Sequence, residues 1–190
     1  MLYCYLVRIY LRGEYVKKNN LFIFEELSSI PLKYCELFVT KDEHRHHLLY
    51  ENSRKQLLTC LDYANNQFVP PIDREDIASI AGMLHDLNKA LYDLIVFKYN
   101  YCQNFAVDNE VRSIRNVCDH IYSIFKNGFP NSYREIIDFQ ITREKQNYNM
   151  NKYNPYEMII RHNFVDKINI CLDKADKVLT FTAVTVIKNT

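Results

Sequence analysis

From about residue 42 onward, the apolar positions of this chain recur with the period of a helix. Leu48, Leu49, Leu57, Leu58, Leu61 and Ala64 predict a first long helix that stops before Pro70-Pro71. The next helix is the clearest. Asp73 is placed as its N-cap, Asp76 follows three residues on, and Ile77, Ile80, Leu84, Leu87, Leu91, Leu94 and Ile95 form one apolar stripe reaching about residue 97. Further helices are expected over 109–126 (ending at Asn127-Gly128), over 131–144, from Pro155 to His162, and over about 165–179. Residues 145–154 (KQNYNMNKYN) are polar and unpatterned, which reads as a surface loop.

The first residues follow another rhythm. Tyr3, Tyr5, Val7, Ile9 and Leu11 alternate with their neighbours, and Leu21-Phe22-Ile23-Phe24 follows the polar Lys17-Lys18-Asn19-Asn20. β-branched and aromatic residues on both sides of a polar turn predict a hairpin or extended arm. The expected fold is therefore mostly α, a helical bundle with a small N-terminal β-hairpin or extended arm. Residues 1–43 form the arm and 44–190 the helical domain.

Composition narrows the function classes. At 190 residues with 48% hydrophobic content the chain is long and apolar enough for one well-filled core. A formal net charge of +1 leaves no global basic footprint for nucleic acid. No uncharged apolar run approaches the roughly 20 residues of a membrane span, and Met1–Arg8 lacks both a basic leader and a small-residue cleavage site, so neither membrane nor secretion is expected. Six cysteines, Cys4, Cys35, Cys60, Cys102, Cys118 and Cys171, sit in apolar segments without CxxC spacing. They read as reduced, buried thiols in a cytoplasmic protein.

The chemistry is concentrated in the histidines. His44, His46 and His47 cluster, His85 is followed at once by Asp86, His120 and His162 stand alone, and Asp176 follows Ala175 in a late apolar run. Imidazole and carboxylate are the ligands that hold first-row divalent metals in hydrolytic enzymes. Each residue also has a plainer reading. The His44–His47 cluster lies among charged residues and suits a solvated helix start, His120 suits a core histidine, and Asp176 suits a surface ion pair with Lys174 or Lys177. An unpaired Asp176 among Ile168, Cys171, Leu172 and Leu179 would be costly, which favours a ligand role. On the helix carrying His85, the residues Ala78, Ala81, Gly82, His85, Lys89 and Tyr92 share a second face, where small residues leave room one turn before the histidine.

The segment Ile80-Ala81-Gly82-Met83-Leu84-His85-Asp86-Leu87-Asn88-Lys89-Ala90 resembles the core motif of the HD-domain superfamily of metal-dependent phosphohydrolases. The resemblance covers about residues 44–180 and implies an HD-domain-like helical bundle. It implies His47 as the first ligand (with His46 as the neighbouring alternative), His85 and Asp86 as the doublet, and Asp176 as the last. His120 and His162 are similar to the extra ligands of the two-metal branch, and Ile160-Arg161-His162 with Ala175-Asp176 resembles the tail of dinucleoside tetraphosphate hydrolases in that branch. The chain departs from the pattern at Asn88, where the motif has glycine. It lacks the Gly-Tyr-Pro signature of cyclic-di-GMP phosphodiesterases, and residues 1–43 have no counterpart.

The resemblance implies a phosphohydrolase or phosphodiesterase acting on a nucleotide or dinucleotide through a metal-activated hydroxide. It implies one or two divalent metals per chain, bridged by Asp86 where there are two, with Fe, Mn, Co or Ni favoured over Mg by the mixed ligands. Lys89, one turn after His85, is placed to contact substrate phosphate, and Arg161 beside His162 is a second candidate. Two rivals stand beside this expectation. One is a nuclease on single-stranded DNA or RNA, with some of the 15 tyrosines stacking bases. The other is a catalytically degenerate interaction module whose N-terminal arm docks a partner.

Overall fold

A computed structural model describes residues 23–40, 42, 44–66, 72–103, 108–127 and 154–188. Five helices account for most of these residues: α1 (23–37), α2 (Arg45–Asn66), α3 (Arg74–Tyr101), α4 (Asp108–Asn127) and α5 (Pro155–Lys188). The mostly α expectation holds. The alternating segment of the expected hairpin, the 131–144 helix and nearly all of the 145–154 loop lie outside the described residues.

Helix α1 corrects the reading of residues 23–37 as part of a β-rich arm. Ile23 and Phe24, placed in the second strand of the hairpin, open this helix. Its logic is the spacing of Phe24, Leu27, Ile30, Tyr34 and Leu37, all fully buried, which forms one helical stripe. Side chains tie α1 to α2, α3 and α4. Phe24 packs on Phe125 of α4 with ring centroids 5.3 Å apart, the Cys60 thiol of α2 donates to the Ile23 carbonyl (3.4 Å), and Tyr34 donates to the His46 carbonyl (3.4 Å). Helix α3 closes the C-terminal end of α1. Lys98 donates to the Phe38 carbonyl, and the Tyr99 hydroxyl lies 3.3 Å from the Leu37 carbonyl, so groups left open at a helix end are met by side chains.

Pro31 sits inside α1, where it cannot donate to the carbonyl four residues back, that of Leu27. The Nδ2 of Asn88, fully buried on α3, donates to that carbonyl at 3.4 Å. This accounts for an asparagine at the position where the resembled motif carries glycine. It belongs to the packing of α3 on α1.

Helix α3 follows the sequence reading, with its whole apolar stripe buried, but it continues to Tyr101. Asp73 is its N-cap residue, although its side chain makes no capping bond. Helix α5 is one helix of 34 residues, where two shorter ones were expected. Ile160, Phe164, Ile168, Cys171, Leu172, Ala175, Val178, Leu179 and Ala183 form an unbroken buried stripe through residues 163–164, so nothing ends the helix at His162. Asn154 caps it, accepting from the Glu157 N–H at 2.8 Å with Pro155 in the first turn.

Helix α3 packs most extensively on α5 and α2, while α4 packs on α5. Ser53 meets His85 and His47 meets Tyr92, so α2 runs antiparallel to α3. Lys174 meets Asp86 and Lys167 lies over Phe97, so α5 is antiparallel to α3 as well. Cys35, Cys60, Cys102, Cys118 and Cys171 are free, buried thiols, as expected. Burial pushes Cys60 up to about 12 and Cys102 up to about 11, leaving both thiols uncharged and unreactive. Among the described residues no helix is long and apolar enough to cross a membrane.

Candidate functional site

The outward face of α3 sorts its side chains between two neighbours. Consecutive residues on an α-helix point about 100° apart, so His85 and Asp86 diverge from adjacent positions. His85 turns to α2, where its Nδ1 lies 2.9 Å from the Oγ of fully buried Ser53. Burial, with smaller contributions from Arg54 and Lys89, holds the His85 imidazole below its usual range against the opposing effect of Asp86. Asp86 turns to α5, where its Oδ2 accepts from Lys174 Nζ at 2.7 Å.

Between α3 and α5 lies a pocket of about 370 Å³, lined by Asp86, Lys89, Ala90 and Asp93 from α3 and by Lys167, Ile170 and Lys174 from α5. Asp86 and Asp93 are seven residues apart, as are Lys167 and Lys174. The antiparallel register that joins Asp86 to Lys174 therefore sets Asp93 level with Lys167. Lys89 projects between these two levels and makes no ion pair among the described residues. The pocket holds three ammonium groups against two carboxylates, a balance that favours an anionic ligand.

On the α2 side of the same helix is an aromatic ledge. Tyr50 and Tyr92 have ring centroids 4.8 Å apart, His47 lies 5.6 Å from Tyr92, and Tyr50 stacks on His85 at 5.9 Å. The hydroxyl of Tyr92 lies 3.1 Å from His47 Nδ1. Beneath them His46 is buried, its ring 4.0 Å from His47 and 5.5 Å from Tyr92.

The other residues named from the sequence lie elsewhere. His162 is 78% exposed and faces Asp166 across one helical turn at 3.5 Å. Arg161 is turned to Glu157 at 3.4 Å. Asp176 is exposed, because Ala175 takes the buried position and the next residue rotates out of the apolar face. His120 is half-buried on α4, and burial lowers its imidazole below the usual value. Among the described residues no three His, Cys, Asp or Glu side chains come close enough to hold a metal ion. His47, His85, Asp86, His120, His162 and Asp176 are thus not gathered into one cluster among the described residues. Asp86 and Lys89 are brought together, in the pocket.

The residues that complete this pocket, Asp93, Lys167 and Lys174, carry no motif. Their one sequence signal is the matched seven-residue spacing of two acids and two bases on separate helices. Tyr50 and Ser53 carry still less. Compared with protein-family models the chain matches none, and compared with curated proteins it matches no sequence.

Proposed function

We propose that this chain is a phosphohydrolase acting on a nucleotide or dinucleotide. The observation that supports this reading is that Asp86 and Lys89, two of the eight residues named for chemistry from the sequence, line one lysine-rich pocket with Lys167 and Lys174. Lys89 and Lys174 hold the substrate phosphate as point charges. A phosphate that takes the Lys174 ammonium leaves Asp86 free to accept the proton of an attacking water, the role of a general base. Dependence on Fe, Mn, Co or Ni enters from the resemblance to the HD superfamily alone. A single-stranded DNA or RNA substrate is separated from a small nucleotide by assaying labelled strands beside mononucleotides.

A second reading, a degenerate HD-like module without turnover, is favoured by one observation. His85 and Asp86 are each engaged by a different neighbouring helix, Ser53 on one side and Lys174 on the other. Elemental analysis of the purified chain, then a metal-supplemented assay with bis-p-nitrophenyl phosphate, distinguishes the two. The phosphohydrolase reading expects turnover that Asp86→Ala and Lys89→Ala each abolish while the helical circular dichroism spectrum persists. Wild-type turnover in either variant refutes the assignment of these residues, and no turnover with any metal favours the degenerate module.

A further inference from the structure

Helix α3 carries two different surfaces that meet at one residue. Lys89 lines the α3–α5 pocket, and it lies four residues after His85 and three before Tyr92, both of the aromatic ledge. Side chains at these spacings are neighbours on a helix, and about 4.5 Å of axial rise separates Lys89 from Tyr92. One turn before His85, and two before Lys89, the floor is open, since a Cβ placed on Gly82 would meet nothing within 4 Å. The ledge brings several aromatic rings together beside Lys89. Tyr50 and Tyr92 are half-exposed aromatic side chains held close together, and Tyr92 is steadied from below by buried His46 and at its hydroxyl by His47.

We infer that the ledge of Tyr50 and Tyr92 is a ring-binding subsite continuous with the lysine pocket, and that the ligand is a nucleoside phosphate lying across α3. Its base stacks on the tyrosines, and its phosphate reaches Lys89, Lys167 and Lys174. This rests on the phosphohydrolase reading for the phosphate end and adds the residues that recognise the other end. Phosphate alone does not need the ledge. A ring without phosphate leaves Lys89, the ammonium in excess over the two carboxylates of the pocket, without an anion.

The test is equilibrium dialysis of adenosine 5′-monophosphate and ribose 5-phosphate against the wild-type chain and variants, with and without Mn²⁺. Stacking on an aromatic side chain contributes enough that the nucleotide should bind at least about tenfold more tightly than the sugar phosphate. Tyr92→Leu and Tyr50→Leu should each erase most of that preference without weakening ribose 5-phosphate. Tyr92→Phe, which keeps the ring and loses the hydroxyl, should retain it. Lys89→Ala should weaken both probes. Equal binding of the two probes by the wild-type chain overturns the ring subsite and leaves the phosphohydrolase reading standing. Binding of neither probe overturns the subsite, and if bis-p-nitrophenyl phosphate is not hydrolysed either, the phosphohydrolase reading falls with it.

Discussion

Asn88 gives the sharpest test of how α1 and α3 hold each other. Pro31 deprives the Leu27 carbonyl of its helical partner, and Asn88 Nδ2 supplies one across the helix interface at 3.4 Å. Both Leu27 and Asn88 are fully buried, so water does not replace the bond. Its net contribution lies at the low end of about 0.5–1.5 kcal/mol because the distance exceeds the usual 2.9–3.0 Å. Removing the donor adds the cost of a stranded buried carbonyl, about 1–3 kcal/mol. Partly opposing this, Asn88 Oδ1 is buried with no hydrogen-bond partner among the described residues, and truncation relieves it. Asn88→Ala should therefore destabilise the chain by about 1–2 kcal/mol. Asn88→Gly, which restores the residue of the resembled motif, should cost about 1 kcal/mol more from helix propensity.

The cause is isolated by a double-mutant cycle. Pro31→Ala returns an N–H to the Leu27 carbonyl, so Asn88→Ala in that background loses only side-chain packing. Urea unfolding followed by circular dichroism on the four variants should give a coupling of about 1 kcal/mol. If the two changes instead add to within about 0.3–0.5 kcal/mol, the usual result for independent sites, the account of Asn88 as partner to a proline-freed carbonyl is refuted.

Two further predictions concern stability. Leu91 is fully buried in the α3 stripe, and Leu91→Ala should cost about 2–5 kcal/mol by urea denaturation, whereas a loss below about 1 kcal/mol would show a loosely packed interface. His85 and His120 are both held by burial below the ordinary value of 6.5. The folded state therefore disfavours their charged forms, and the unfolded chain binds more protons once the pH falls below about 6.5. The stability these two groups contribute is present above that pH and is lost as pH falls through their lowered values. The urea midpoint should drop between pH 7.5 and 5.5, and His85→Gln or His120→Gln should shrink the drop.

The pieces of the fold that the sequence made legible are those whose period is unbroken. In α3 an acidic start and seven apolar residues at helical spacing all reach the core. Helix α1 has an equally regular stripe, but Pro31 interrupts it, and the short run 21–24 on its own resembles a strand. In α5 a continuous stripe divides on paper because polar His162 and Asn163 fall between its apolar positions. Asp176 shows the limit of reading neighbours in sequence as neighbours in space, since one residue of rotation carries it from a buried face to solvent. At the site, Asp86 and Lys89 were readable because they share a helix. Their counterparts were not, because Ser53 and Lys174 approach α3 from 32 and 88 residues away.

The Lys174–Asp86 pair is the contact that the proposed turnover would have to open, and its strength can be bounded. Both side chains retain substantial exposure, 32% for Lys174 and 53% for Asp86, and pairs of this kind contribute about 0–1 kcal/mol. A cation or phosphate therefore has little to overcome in separating them, so the contact is a resting partner for Asp86 and no lock. Ser53 likewise engages only Nδ1 of His85, and a hydrogen-bonded partner on one ring nitrogen is the usual way that a ligating histidine is oriented. Lys174→Met should lower stability by less than about 1 kcal/mol in urea unfolding, while weakening phosphate binding in a salt-dependent way. It should also tighten Mn²⁺ binding up to about fivefold by dialysis, because the carboxylate no longer has an ammonium to exchange. Unchanged Mn²⁺ affinity would show that Asp86 holds no metal, and would leave the histidine–aspartate doublet as two separate helix-packing residues.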